Sequence, residues 1–444
     1  MSKIEVNAIE PQCGTTLTLG ASGDTVSIAS GANLSGVGTV SWDTTAKTAA
    51  FTAVSGNGYF VNTTSGAITV TLPAGSAGAI VAFADYANTF DTNNLTIAPN
   101  GSDKIGGINA NAKVSTKGAS TTFVYVDSTQ GWKQVNDATL NTTGENFIVA
   151  TGGTISTCGN CKIHTFTGPG TFCVSSISNT SQNNEVSYVV VAGGAGGGGG
   201  STGPSGGGGG GGAGGFREDK SPVTPYTASP LEGAGSITVT ATAFPITVGG
   251  GGAASPVANS KGGSGSNSVF STVTSTGGGG GGYYLDAPSA TNNPGVPGGS
   301  GGGAAGHPSN PGGTGNTPPV SPAQGNPGGT GQSSTPVFAG AGGGGATAAG
   351  GNSSPSQGGP GGAGATTSIS GSSTAYAGGG GGGSGNGSEQ PGGVGGGGSG
   401  GFPGADPGSA GTTNTGGGGG GAGSTNVLGG AGGSGIVIIR YKYQ

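Results

Sequence analysis

The chain has 444 residues, of which 112 are glycine and only 7% are charged. Twelve basic and seventeen acidic side chains give a formal net charge of −5. This excludes a basic nucleic-acid-binding surface, because phosphate contacts require clustered Lys and Arg. The apolar runs are too short to span a bilayer, so no membrane insertion is expected. The first residues also lack the pattern of a secretory signal peptide.

Residues 1–40 contain short segments in which apolar and polar residues alternate. Leu17 and Leu19 belong to one such segment, and Val26 and Ile28 to the next. Alternation with a period of two is typical of half-buried strands. Because these strands are too short to bury a core alone, we predict a stalk or β-prism completed by identical copies. A flexible leader is the alternative.

Residues 41–138 are predicted to form a β-sandwich domain. Segments rich in β-branched and aromatic residues recur at roughly ten-residue spacing, separated by turns that contain Gly or Pro. No stretch keeps a helical period. The predicted strands lie at residues 59–62, 67–72, 79–83, 94–97 and 121–126.

A β-rich connector is predicted for residues 139–186, followed by a glycine-rich domain over residues 187–444. The segment 187–192 is apolar at nearly every position, which indicates a central strand buried on both faces. Residues 435–443 have the same character, and residues 236–244 and 267–274 are further strand candidates. We expect these four strands to pair, with the glycine-rich stretches as excursions from them.

Glycine is concentrated in this last domain: 22 of the 112 glycines fall in residues 1–191, leaving 90 in residues 192–444. Collagen is excluded because the glycines do not recur at every third position. A flexible linker is one interpretation, since such compositions usually signal disorder. The other is a packed array of polyglycine II helices, in which only glycine lets backbones approach closely. The apolar strands framing the domain favour the array.

Bulky residues between the glycine runs are candidates for binding a partner. Aromatic side chains at loop tips suit recognition of a surface glycan or an outer-membrane protein by stacking and hydrogen bonding. The alternative is that they pack between adjacent runs. The candidates are Phe216, Arg217, Tyr226, Tyr283, Tyr284, His307, Phe338, Tyr376 and Phe402.

Cysteine spacing suggests a weak candidate metal site. Cys158 and Cys161 have the spacing of half a zinc site, and His164 and Cys173 could complete four ligands. A redox dithiol would require a helical context that is absent. A disulfide among the three cysteines and inert thiols are the other interpretations, and neither a metal nor a cofactor is expected.

Catalytic patterns are poorly represented. The sequence has two histidines, His164 and His307, and few carboxylates in its glycine-rich half. A Ser-His-Asp triad and the paired carboxylates of a glycosidase are therefore poorly supported. We expect a protein that is not an enzyme.

Motifs along the whole chain resemble those of bacteriophage tail fibres and receptor-binding proteins. The resemblance rests on the opening residues 2–6 with 14–25, on the sandwich motifs at 58–62 and 124–132, and on the border motifs at 162–172, 189–194 and 435–441. It implies a virion-proximal N-terminal segment joined to other phage tail proteins, and a homotrimeric fibre. It also implies a distal glycine-rich tip whose loops bind the host surface. A polysaccharide depolymerase tailspike and a cellular glycine-rich adhesin are the alternatives.

Overall fold

The computed structural model describes residues 40–135, 145–203, 206–284, 293–306, 310–334, 337–404, 406–425 and 427–444. The described chain is all-β, apart from one short 3-10 helix at Ser181–Asn184. It forms two compact units that divide between Glu145 and Asn146. None of the described helical segments is long and apolar enough to cross a membrane. The predicted stalk lies outside the described residues up to position 39.

The first unit consists of two sheets. Strands are β1 (Ser41–Lys47), β2 (Phe51–Thr52), β3 (Asn57–Val61), β4 (Ile68–Thr71), β5 (Ile80–Asp85), β6 (Leu95–Ala98), β7 (Ala112–Val114), β8 (Ser120–Asp127) and β9 (Gly131–Gln134). One sheet has the order β1-β3-β5-β8-β9, and the other β2-β4-β6-β7. The chain alternates between the sheets, so β1, β3 and β5 pair in parallel, as do β2, β4 and β6.

A single apolar core fills the space between these two sheets. Trp132, Phe83 and Phe123 are fully buried in it, together with alternate residues of β4 and β6. The predicted sandwich is thus confirmed. Its parallel strand pairs were not anticipated, because a period of two shows which face is buried and not which strand lies alongside.

The second unit holds the remaining strands and the glycine-rich segments. The strands are β10 (Val149–Thr151), β11 (Thr154–Cys158), β12 (Cys161–Phe166), β13 (Gly170–Ser176), β14 (Glu185–Val191), β15 (Phe216–Asp219), β16 (Ile237–Thr238), β17 (Ala243–Thr247), β18 (Ser268–Phe270), β19 (Val273–Ser275), β20 (Gln332–Ser334), β21 (Val337–Ala339), β22 (Ala365–Thr367), β23 (Thr374–Tyr376) and β24 (Ile436–Lys442). Two large sheets have the orders β11-β12-β24-β14-β15 and β10-β13-β17-β18-β19. Residues 146–176 supply strands to both of them, so they belong to this unit and do not form a separate connector.

As predicted, strands β14 and β24 pair at the centre of the first of these sheets, and the pairing is antiparallel. Tyr188 and Val190 point into the core between the two sheets, and Val189 and Val191 into a second core beneath the glycine-rich segments. The sheet is therefore buried on both faces.

The prediction of one strand over 236–244 was wrong in part. The chain turns between Thr240 and Thr242, whose backbone groups are hydrogen-bonded at 2.8 Å. As a result β16 pairs with β14, whereas β17 joins β13 and β18 in the other sheet. The four predicted strands thus pair within two sheets and not within one.

The glycine runs form a packed array. Successive N–H groups of run 207–215 donate in rotation to three neighbouring runs, each neighbour being reached by every third residue. Those acceptor runs are residues 338–344, 416–422 and 276–282. A period of three is that of a polyproline II-type helix, and no glycine of run 207–215 has a positive φ. The run is thus a polyglycine II helix.

Carbonyl groups of residues 206–215 accept hydrogen bonds from three other runs, at residues 192–201, 300–306 and 380–383. One central helix therefore has six hydrogen-bonded neighbours. Buried backbone polar groups require such partners, and here the neighbouring runs provide them.

Glycine is required in the array because the backbones lie so close. A Cβ atom placed on any residue of 207–212 would lie under 3.0 Å from a backbone oxygen of a neighbouring run. The packed array predicted from composition and borders is therefore the arrangement observed, in place of a flexible linker.

Candidate functional site

The runs of the array alternate in direction, which places connecting segments at its two ends. Run 192–200 leaves β14, and run 206–215 returns to β15, so the connection between them lies at the end away from the sheets. Segments hydrogen-bonded to residues 199–207 lie at this same end. They include Asn259 to Gly200 (3.1 Å), Gly200 to Val427 (3.1 Å) and Gly207 to Phe338 (2.9 Å).

We call this end the loop face. Its described residues are 201–203, 255–261, 283–284, 354–357, 385–389, 402–404, 424–425 and 427–428, with strands β20 and β21. Neighbouring loops are joined directly: the N–H of Asn386 donates to the carbonyl of Ser356 at 3.2 Å, and the Gln357 amide donates to the Ser388 hydroxyl at 2.9 Å. The loops at 354–357 and 385–389 are therefore held to each other on this face.

Large apolar side chains are exposed on three neighbouring loops of this face. Val257 is 60% exposed, Phe402 45% and Leu428 39%. The loops of Phe402 and Leu428 are linked through run 408–412, whose first N–H donates to the Leu428 carbonyl at 3.2 Å. Among the described residues of the face only Lys261 and Glu389 are charged. An apolar, weakly charged surface of this kind suits contact with a protein or a glycan.

Of the predicted binding residues that the structure describes, Phe402 is the exposed one on the loop face. Tyr284 is buried and packs against half-buried Phe338, with ring centroids 5.1 Å apart beside Gly206. These two rings close the end of the array, which corrects their assignment to exposed tips. Tyr283 is half-buried, and His307 lies outside the described residues.

Four other predicted residues lie at the sheet end of the array, opposite the loop face. Phe216, Arg217 and Tyr376 are buried, and Tyr226 is half-buried. Phe216 lies in β15 and pairs with Val191 of β14. It joins the second core, to which Tyr376 also belongs. Their assignment as tips was wrong, because residues flanking a glycine run cover the sheet at one end and reach solvent only at the other.

A buried polar cluster surrounds Tyr226. The guanidinium of Arg440 lies 5.4 Å from its ring and donates to the Pro225 carbonyl at 2.9 Å. Glu218 is fully buried, and its carboxylate accepts from the Ser229 N–H at 2.9 Å and the Thr367 hydroxyl at 2.6 Å. Burial raises the pKa of Tyr226. This cluster fastens β15 and β24 to the loops that cover them, and its charged groups, Glu218 and Arg440, are buried.

The structure does not bring the four candidate metal ligands together. Cys158 and Cys161 are register partners in the β11–β12 hairpin and share a face, whereas His164 lies on the opposite face of β12. Cys173 is exposed on β13, in the other sheet. The three described cysteines are free thiols. Across the described ranges no group of three His, Cys, Asp or Glu residues is placed to hold a metal ion.

Both ring nitrogens of His164 are occupied. Nδ1 donates to the carbonyl of Gly152 at 2.7 Å, and Nε2 accepts from the Tyr441 hydroxyl at 3.1 Å. Burial lowers the pKa of the imidazole, and it raises the pKa of Tyr441 to about 12. The neutral histidine thus acts as a core residue linking β12 to β24.

A family model of a glycine-rich domain matches residues 165–442. The chain belongs to this glycine-rich domain family. The match begins in β12 and ends with β24, so the domain includes both the glycine array and the paired strands that frame it. A search of curated proteins finds no match to the chain.

Proposed function

We propose that this glycine-rich domain protein is a bacteriophage tail-fibre protein that binds the host cell surface through its loop face. The observation that carries the proposal is the six-neighbour hydrogen bonding of the glycine array. It holds the runs from which the described loops of that face extend. The motif resemblance along the chain supports the same assignment.

Ordered loops lose less conformational entropy on binding than free ones, which favours affinity. The side chains that the face exposes, led by Phe402, Val257 and Leu428, suit an outer-membrane protein or a surface glycan. A homotrimer joined to other tail proteins by its N-terminal segment would present three such faces. Weak contacts would then add through effective concentration.

The proposal is tested with virions that carry the chain and their host cells. Antibodies against the purified chain should label the tail fibres in electron micrographs. Added purified chain should compete with virions and slow their adsorption, and a chain with Phe402→Ser and Leu428→Ser should compete less. Labelling absent from the tail, or adsorption unaffected by excess chain, would contradict the assignment. Oligosaccharides released from host polysaccharide would favour the depolymerase alternative.

A further inference from the structure

The second unit contains a cavity of about 320 Å³ at the sheet end of the array. It lies where the edge strands β15 and β19 of the two large sheets meet, and the segment 316–324 closes one side. Arg217 and Gln324 are buried in its floor, whereas the lining residues Ser236, Thr272 and Thr274 are exposed. The cavity is therefore open to solvent. Its volume is at the lower end of the roughly 300–1,000 Å³ typical of small-molecule sites.

The wall formed by residues 316–324 is fixed by side-chain hydrogen bonds. The Asn316 carbonyl oxygen Oδ1 accepts from the N–H groups of Val320 at 3.1 Å and Gln324 at 3.2 Å. Gln324 Oε1 accepts from the N–H of Thr276 at 2.8 Å, and its Nε2 donates to the Pro318 carbonyl at 3.0 Å. The shape of the cavity is thus formed before any ligand arrives.

Arg217 is a buried cation with incomplete partners. It is 8% exposed, and its Nη2 makes two long hydrogen bonds, to the carbonyls of Ala234 at 3.3 Å and Ser321 at 3.4 Å. Its Nε has no partner. Within the described residues no carboxylate forms an ion pair with this guanidinium. A buried charge without a counter-charge is costly.

The acidic residue on the same face of β15 as Arg217 is otherwise engaged. Asp219 accepts from the N–H of Gly235 at 3.3 Å and from the Ser236 side chain. Burial raises its pKa, and Glu232 and Glu185 act in the same direction. Neither Asp219 nor another carboxylate of the described chain lines the cavity, so the cation at its floor is available to an external anion.

We propose that this cavity binds the carboxylate of an acidic sugar unit, such as a uronic acid, with Arg217 as the counter-charge. A guanidinium pairs with a carboxylate through two parallel hydrogen bonds. Thr272 and Thr274, which carry hydroxyl groups, line the cavity together with apolar Val273 and Val320. That mixture suits a sugar ring, whose hydroxyls need partners and whose C–H face packs on apolar groups. The site lies away from the loop face. Sugar binding here can therefore be tested independently of the proposed adsorption to host cells.

The test is an NMR titration of the full chain with methyl glucuronoside, methyl glucoside and inorganic phosphate. Glucuronoside should bind at least about tenfold more tightly than glucoside, because only it offers the charge-assisted pair. Arg217→Met should abolish that preference. Thr274→Trp, which leaves Arg217 in place and fills the mouth, should abolish binding. Val394→Ser, at an exposed turn outside the cavity, is the matched control and should bind as the parent does.

Equal binding of glucuronoside and glucoside would overturn the proposal, as would unchanged glucuronoside binding by Thr274→Trp. Phosphate that displaces glucuronoside at equal concentration would show a general anion site and would also overturn the sugar assignment. If Arg217→Met fails to fold, the Thr274→Trp variant and the comparison of the two sugars still test whether the cavity binds the acidic sugar. The melting temperature of each variant shows whether that variant is folded.

Discussion

The N–H of Gly211 donates to the carbonyl of Gly419 at 2.8 Å, at the centre of the glycine array. The two residues belong to runs far apart in sequence, and each also bonds to further runs. A Cβ on Gly211 would lie under 3.0 Å from the carbonyl oxygen of Ala195 on a third run. Glycine here serves close packing on all sides.

Gly211→Ala is therefore expected to destabilise the second unit by about 2–3 kcal/mol, because the new methyl group displaces buried backbone. The melting temperature should fall by roughly 4–8 °C. Gly250→Ala is the matched control, since Gly250 lies in the array with nothing within 4 Å of its Cβ position and without a positive φ. It should change stability by less than about 0.5 kcal/mol. Equal effects in calorimetry would contradict the close-packing explanation.

In the first unit, Asp85 fixes two loops. Burial opposes the ionisation of this carboxyl group. Its oxygens accept hydrogen bonds from the N–H groups of Phe90 (3.1 Å), Thr89 (3.1 Å) and Gly118 (3.0 Å). These bonds outweigh the effect of burial and lower the pKa of the carboxyl below 3.8. Asp85→Asn should cost about 1–3 kcal/mol, because an amide NH₂ replaces one acceptor.

The matched change is Asp91→Asn, on an exposed residue of the same loop, and it should cost less than about 0.5 kcal/mol. The stabilisation by Asp85 should be lost as pH falls below 3.8, because the unfolded chain binds the proton first. Urea unfolding at several pH values measures both effects. A loss of stability that is the same for the two variants would argue against the role of Asp85.

Much of the fold can be predicted from the sequence, because the patterns that indicate strands and glycine helices lie within short segments. A strand such as Glu185–Val191 that is apolar throughout has to be buried on both faces, and uninterrupted glycine between two such strands has few packed alternatives. The split of residues 236–244 was missed, since Thr240 and Thr242 carry no turn signal. The parallel pairing of β1 with β3 depends on contacts between distant segments, which periodicity does not report.

The candidate site was predictable only in part, for a geometric reason. Each run of the array has two ends, and the sequence around Phe216 at the sheet end resembles that around Phe402 at the loop face. The direction of a run is decided by which residues pair with β14. The cavity at Arg217 was not predicted from the sequence either, because its lining residues come from four separated segments.

Phe402→Ser should weaken binding of the chain to host cells by about fivefold or more if the loop face is the contact surface, as an exposed aromatic anchor would. Stability should change by less than about 0.5 kcal/mol, because Phe402 is an exposed residue. Val394→Ser is the matched control, since Val394 is 70% exposed at the opposite end of the array. Binding of labelled chain to host cells measures both. An equal loss from Val394→Ser, or none from Phe402→Ser, would remove Phe402 from the contact surface.

His164 should make the second unit less stable below neutral pH. Burial is the main cause that lowers its pKa beneath the ordinary 6.5, and the charge of Lys162 acts in the same direction, while the bond to Gly152 opposes it. As pH falls through 6.5, the unfolded chain therefore binds a proton that the folded chain refuses. The stability that neutral His164 contributes is present above pH 6.5 and is lost as pH falls toward the folded pKa.

His164→Gln should remove this component of the pH dependence, although it lowers stability at every pH by disturbing the packing against Phe172 and Tyr441. Tyr441→Phe is a second variant that deletes the hydroxyl bonded to Nε2 while leaving the imidazole in place, so the drop below pH 6.5 should persist. Melting temperatures between pH 5 and 8 measure the slopes. A parent and a His164→Gln variant with the same slope would show that another group titrates there.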